Sequence, residues 1–239
     1  MYKTGELVAQ RIESYCRTWR LWIENAEGVI SGDSIMSADS SMQATSLSDD
    51  IELGAVCSQS WNMTISDTEI AFLGKNYDTY LYLVDYETNG ILAGEKIPMG
   101  HFTCVKSKKS GGSVQLTMAD RLYFSDKPYV PHIPMPNWNK AVEDDICRQL
   151  GLQNGNDYTE VRLLRDKNGR RLIDKNGKVL YSKYFYFKVS SVPKDVTMRQ
   201  MLSYLASAQG QFGYVDRYGK YVRKWYGKPV KTLDNNTID

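Results

Sequence analysis

The sequence predicts a β-rich α+β fold, with an antiparallel β-barrel-like part and a smaller α+β part. Three observations carry that prediction. Several short runs between Trp19 and Met118 alternate apolar and polar residues with the period of a strand. Gly74, Asn89–Gly90 and Gly111–Gly112 punctuate those runs as turns. Helical stripes follow a proline-rich stretch later in the chain.

The elements read in order as follows. Val8, Ile12, Tyr15 and Trp19 make one apolar stripe, which predicts a short helix over 5–15. Trp19, Leu21 and Ile23 alternate with Arg20 and Trp22, which predicts a strand. Residues 26–50 are rich in Ser and Asp. They fit a linker, but Ile35 and Met42 favour irregular β-structure inside a domain. Strands are then predicted around 61–65, 80–86, 102–104 and 114–118, with Lys106–Lys109 as a basic loop. Lys127 to Pro136 carries four prolines in ten residues and predicts an extended, semi-rigid connector.

Val142, Ile146 and Leu150 repeat at helical spacing, and Gly151 supplies a stop. Glu143, Asp144 and Asp145 on this helix could bind a cation. The plainer expectation is that they complement the helix dipole on a solvated face. Asn168–Gly169 and Asn176–Gly177 are hairpin dipeptides eight residues apart, which predicts a small meander or a projecting β-arm. Tyr184–Phe187 near Arg170, Arg171 and Lys178 would suit base stacking, but strand propensity alone explains the run. Thr197 and Gln200 form a capping box. Met198, Met201, Leu202, Leu205 and Ala206 trace a core-facing helix that ends by Gly210, and a hairpin turning at Gly219 follows.

Composition narrows the function. The 239 residues fit one large domain or two small ones at roughly 150 residues each. We place a β-barrel-like domain with its N-terminal helix at 1–126, the proline connector at 127–137 and an α+β domain at 138–239. Lys plus Arg is 30 against 28 for Asp plus Glu, a balance that argues against binding driven by phosphate neutralisation. The 17 Tyr against 6 Phe suit half-exposed strand faces and protein interfaces. No apolar run is long enough to cross a bilayer, and Met1 to Glu13 lacks the apolar core of a signal peptide.

The search for chemistry predicts no catalytic residues, no cofactor-binding residues and no metal ligands. Cys16, Cys57, Cys104 and Cys147 are too widely spaced for a zinc pattern and read as reduced core thiols made in the cytoplasm. His101 and His132 lack the partners of a metal site or a catalytic triad. Adjacent carboxylates such as Asp49–Asp50 point apart, and no phosphate-binding, zinc-protease or nucleophile-elbow motif occurs.

Three stretches resemble the hub proteins of bacteriophage and prophage tails. They are DIELGAVCSQSWNMTI (Asp50 to Ile65), PMGHFTCVKSKKSGGSVQLTMADRLYFSDKPYVP (Pro98 to Pro131) and TMRQMLSYLASAQGQFGYVDRYGKYVRKWY (Thr197 to Tyr226). The first looks like the family's strand pair after a Ser/Asp-rich lead. The second resembles a strand, basic loop and strand followed by an aspartate that opens a helical turn. The third is similar to a helix–hairpin. Their order and spacing, from about residue 50 to 226, carry the resemblance more than any one motif.

The resemblance implies a non-enzymatic structural subunit of the tail tip or baseplate hub in a phage, prophage or phage-derived particle. Such a subunit closes the tail tube and bridges to tail-fibre or lysin parts. The implied partners are further copies of itself as a trimer, the distal tail protein, the tape measure protein and a tail spike or lysin, with no membrane and no specific nucleic acid. It implies synthesis in the bacterial cytoplasm and residence in the virion tail or a tail-like particle. Relatives often carry a C-terminal extension with hydrolase, spike or receptor-binding function, and none is legible before Asp239. The competing expectation is a stand-alone β-barrel module that binds carbohydrate or single-stranded nucleic acid.

Overall fold

The structure, a computed structural model, describes residues 18–25, 28–30, 34–37, 43–45, 53–66, 72–84, 96–156, 158, 162–163, 166, 168, 170–173, 175–177, 181–182 and 187–225. The helix expected over 5–15 lies outside them, as do Cys16, Asn89–Gly90 and Tyr184–Tyr186.

The fold is β-rich α+β. Strands β1 (Thr18–Asn25), β2 (Gly28–Ile30), β3 (Ile35–Ser37), β4 (Gln43–Thr45), β5 (Val56–Ile65), β6 (Asn76–Val84), β7 (Ile97–Ser110) and β8 (Ser113–Ala119) curl into a half-barrel. The Ser/Asp-rich lead does contribute β-structure: β3 and β4 both pair antiparallel with β5. The central order β5–β8–β7–β6–β1–β2 is antiparallel throughout.

Period-2 alternation decides what this half-barrel buries. Trp61, Met63 and Ile65 of β5 face Val114, Leu116 and Met118 of β8, and Phe102, Cys104, Tyr77, Phe72 and Ile23 complete the cluster. Burying each large apolar side chain contributes roughly 1.5–3 kcal/mol.

Lys106–Lys109 is a strand, not the loop expected. Lys106 pairs with Thr117, Lys108 with Gln115 and Lys109 with Val114. A two-residue turn at Gly111–Gly112 lets the ladder run to the Ser110–Ser113 pair, so the connection is as short as a hairpin allows.

After β8 comes a 3₁₀ turn (Arg121–Phe124), then β9 (Asn137–Trp138), α1 (Asn139–Leu150) and β10 (Gln153–Asn154). Gly151 in the left-handed region ends α1, as expected. Strands β11 (Arg162–Leu163) and β12 (Tyr181–Ser182) pair with each other and close the base of the segment carrying the two Asn-Gly turns. At the first of those turns, Asp166 Oδ1 accepts from the N–H groups of Asn168 and Arg170, both at 2.8 Å. Strand β13 (Lys188–Val189) pairs with β9.

The chain finishes as helix and hairpin: α2 (Met198–Ser207), β14 (Gln211–Val215) and β15 (Lys220–Trp225). The capping box at Thr197 and Gln200 is present in both directions. Met198, Met201, Leu202, Leu205 and Ala206 are all buried, as their spacing predicts. Met198, Met201, Leu202 and Leu205 pack with Val142, Ile146, Cys147 and Leu150 of α1, and with Val56, Leu122, Val215 and Tyr221.

The proline-rich stretch bends at Lys127, at His132–Ile133 and at Met135–Pro136, and it is tied to the segment before α2. Lys127 O accepts from Met198 N–H, Tyr129 N–H donates to Val196 O, and the Tyr129 ring is buried in this second core.

Candidate functional site

The three segments that carry the sequence resemblance meet at one joint. Gly54 N–H donates to Gln211 O and Gly213 N–H donates to Ala55 O, both at 2.8 Å, so the start of β5 runs parallel to β14. Gly54 has φ +87°, and a Cβ there would stand 2.8 Å from the Ser203 carbonyl oxygen of α2. Only glycine lets the chain enter β5 this close to the helix backbone. Ser207 Oγ donates to Leu53 O at 3.1 Å and fixes the same approach.

Asp120, the aspartate that opens the helical turn, stands at the other end of this joint. It is 1% exposed. Its carboxylate accepts from Ser58 Oγ and from Gln59 N–H, each at 2.8 Å, while its own N–H donates to Gln59 O. Burial pushes the Asp120 carboxyl up to about 6, against the lowering effect of those hydrogen bonds.

Arg199, in the first turn of α2, is also buried. Its Nε donates to Asp126 Oδ1 at 2.7 Å, Nη1 to Val56 O at 3.0 Å and Nη2 to Leu122 O at 2.9 Å. It therefore ties the first residue of β5 and the 3₁₀ turn to the start of α2.

The acidic triplet of α1 corrects an expectation. Glu143 and Asp145 are not on a solvated face; both are fully buried, and α1 starts at Asn139, so neither lies in its first turn. Glu143 Oε2 lies 2.9 Å from Arg223 Nε, and Asn156 Nδ2 donates to Glu143 Oε1. Arg223 Nη1 reaches Gln209 Oε1 at 2.8 Å and Gln211 Oε1 at 3.1 Å, and Nη2 donates to Tyr158 Oη at 3.0 Å. Burial raises the Glu143 carboxyl, and Arg223 opposes that rise. Burial also raises the Cys147 thiol and the Tyr158 hydroxyl.

Asp145 Oδ2 accepts from Tyr129 Oη (3.0 Å), His132 N–H (3.0 Å) and Gln149 Nε2 (3.1 Å), which staples the proline-rich stretch to α1. Asp144 alone fits the original expectation in part, pairing with Lys140 one turn back and with Asn154 Nδ2. No group of three or more His, Cys, Asp or Glu among the described residues is arranged to hold a metal ion. These buried charges tie elements together rather than face a substrate.

Sequence reasoning passed over Arg199, Arg223 and the burial of Glu143. The signals were there. Arg223 shares the strand parity of Tyr221, and Glu143 shares the helical face of Ile146 and Leu150.

A cleft of about 370 Å³ opens among the described residues where the β14–β15 turn leans over β6 and β7. Asp78, Tyr80, Lys96, Pro98, Arg217 and Tyr218 line it. His101, expected in a strand, lies in β7 with Nδ1 2.6 Å from Asp78 Oδ1. Lys96 Nζ is 2.6 and 2.8 Å from the two Glu24 oxygens and 5.0 Å above the Tyr80 ring.

No family model matches the chain. No curated protein matches it. Among solved structures, the chain is similar to the one described as the crystal structure of prophage MuSo2, 43 kDa tail protein from Shewanella oneidensis, with a TM-score of 0.46 and 11% identity. The alignment covers 88% of this chain and 56% of that one, so this chain spans little more than half the length of that protein. A likeness at this level carries no argument about activity or partners.

Proposed function

We propose that the chain is a structural subunit of a phage, prophage or phage-derived particle tail, seated in the tail tip or baseplate hub. There it closes the tail tube and bridges to tail-fibre or lysin parts. One observation supports this reading above the others. The three hub-like segments, far apart in sequence, are the three that build the joint of Gly54, Asp120 and Arg199.

The proposal assigns no catalysis to this chain and expects it to work by geometry. Its partners would be further copies of itself as a trimer, the distal tail protein, the tape measure protein and a spike or lysin. Its place would be the virion tail or a tail-like particle.

The test is deletion of the gene from a strain that makes the particle, followed by electron microscopy of the released tails. The expected result is missing or unfinished tail tips, restored by the gene in trans. Normal tips in the deletion strain would overturn the proposal and favour a stand-alone binding module. Purified protein is expected to leave purified cell wall intact.

A further inference from the structure

We propose that the cleft beneath the β14–β15 turn is a binding site for a neutral oligosaccharide. The assignment goes beyond the tail reading and stands whether or not the chain sits in a tail.

Strand register builds the floor. Tyr80 of β6 is paired with Trp22 of β1 and Pro98 of β7, and Asp78 is paired with Glu24 and His101. Cross-strand partners share a face, and so do residues two apart on one strand. One face therefore carries two neighbouring rows, Trp22–Tyr80–Pro98 and Glu24–Asp78–His101, and Tyr80, Pro98 and Asp78 of these rows line the cleft. An irregularity in the β6–β7 register between Thr79 and Tyr80 keeps Pro98 opposite Tyr80.

The turn supplies the roof, and it is held rigid. Asp216 Oδ1 accepts from Tyr218 N–H and Lys220 N–H, both at 2.9 Å. Gly219 has φ +73°, and a Cβ there would stand 3.0 Å from His101 Cβ, so the turn rests directly on β7. Arg217 and Tyr218 are thus presented from a fixed support, with the Tyr218 ring 63% exposed.

Charge selects the ligand class. Lys96 is neutralised by Glu24, and Asp78 and Arg217 oppose each other in sign across the cleft. The charges of Glu24, Asp78, Lys96 and Arg217 sum to zero, which favours neither a polyanion nor a polycation. Tyr rings offer an apolar face to the C–H side of a sugar ring, while the Asp78 carboxylate and the Arg217 guanidinium suit vicinal hydroxyls. The volume falls within the roughly 300–1,000 Å³ of small-ligand sites.

The test titrates the whole chain with maltotetraose, cellotetraose, mannotetraose and chitotetraose, using calorimetry and saturation-transfer NMR. At least one is expected to bind, weakly but saturably, with sugar protons receiving saturation from tyrosine. Tyr218→Ala, an exposed position that leaves the melting temperature unchanged, is expected to weaken binding at least about tenfold. Asp78→Asn is expected to weaken it with the fold intact. Failure of all four sugars, binding indifferent to Tyr218→Ala, or preference for sulfated heparin fragments over neutral sugars would each overturn the proposal.

Discussion

The half-barrel core and the helical core face the same demand and meet it differently. Both must leave no buried backbone group unpaired. In the half-barrel, strand ladders pair the backbone, with the Asp120 carboxylate taking the Gln59 N–H of β5. Among the described residues, Thr79 and Thr103 of its strands are buried polar side chains, and each adds one short bond to a neighbour, Thr79 to Gly100 O and Thr103 to Asn76 Oδ1. In the helical core, a helix, a 3₁₀ turn and strands meet, and two buried arginines bring extra donors to backbone carbonyls there. Arg199 reaches Val56 O and Leu122 O, and Arg223 reaches Leu205 O. The two buried arginines find different counter-charges: Arg223 meets the buried Glu143, and Arg199 meets Asp126, which is exposed.

The largest expected effect breaks this comparison most directly. Glu143→Ala leaves Arg223 buried and uncompensated and should cost about 3–5 kcal/mol in chemical denaturation. The double variant Glu143→Leu with Arg223→Met should be less damaged than Glu143→Ala, because the charge and its counter-charge leave together. A double variant at least as unstable as the single would mean that the pair is prized for its hydrogen bonds to Gln209, Gln211 and Tyr158 rather than for charge balance.

In the half-barrel, Leu116→Ala should cost about 2–5 kcal/mol through lost burial and a cavity, with no rescue from any charged partner. Unfolding curves measured at several salt concentrations check the contrast: the cost of Leu116→Ala stays constant.

Asp120 sharpens the comparison through pH. Its folded carboxyl titrates near 6 and its ordinary value is 3.8, so the folded state holds this proton more tightly. The resulting stabilisation is complete below about pH 4 and is lost as pH rises through about 6. Relative to Asp120→Asn, the natural protein should lose up to about 3 kcal/mol across that window, at about 1.4 kcal/mol per pKa unit. Parallel stability curves for the two proteins between pH 4 and 7 would contradict this origin.

The smallest effect is local. Thr197→Ala removes one arm of the α2 capping box and should cost about 1 kcal/mol in thermal unfolding.

The difference between the two cores also explains what the sequence made legible. Period-2 alternation predicted Trp61, Met63 and Ile65 as the buried face of β5, because a strand that pairs on both sides has only its side chains left to place. The α2 helix was legible for a similar reason, with a capping box at one end and an apolar stripe along one face. Lys106–Lys109 misled because a run of lysines looks like a loop, whereas the length of β7 is set by the tight glycine turn beyond it. Glu143 and Asp145 misled because charge was weighed before helical face. Their partners Arg223 and Tyr129 come from distant segments and only the fold brings them near. The cleft was invisible for the same cause: Tyr80 and Tyr218 are unrelated in sequence until the C-terminal hairpin leans across β6.

The parallel pairing of Gly213 with Val56 has a consequence in time. Arg199 meets the Val56 carbonyl across 143 residues of chain. The half-barrel hairpin of β7 and β8 joins near neighbours and can form early, whereas contacts of such separation form slowly. As the chain is synthesised, the first residues of β5 must wait in water for a helix and a strand not yet made. The hairpin of β14 and β15 is thus the piece whose arrival locks the earlier strands in place.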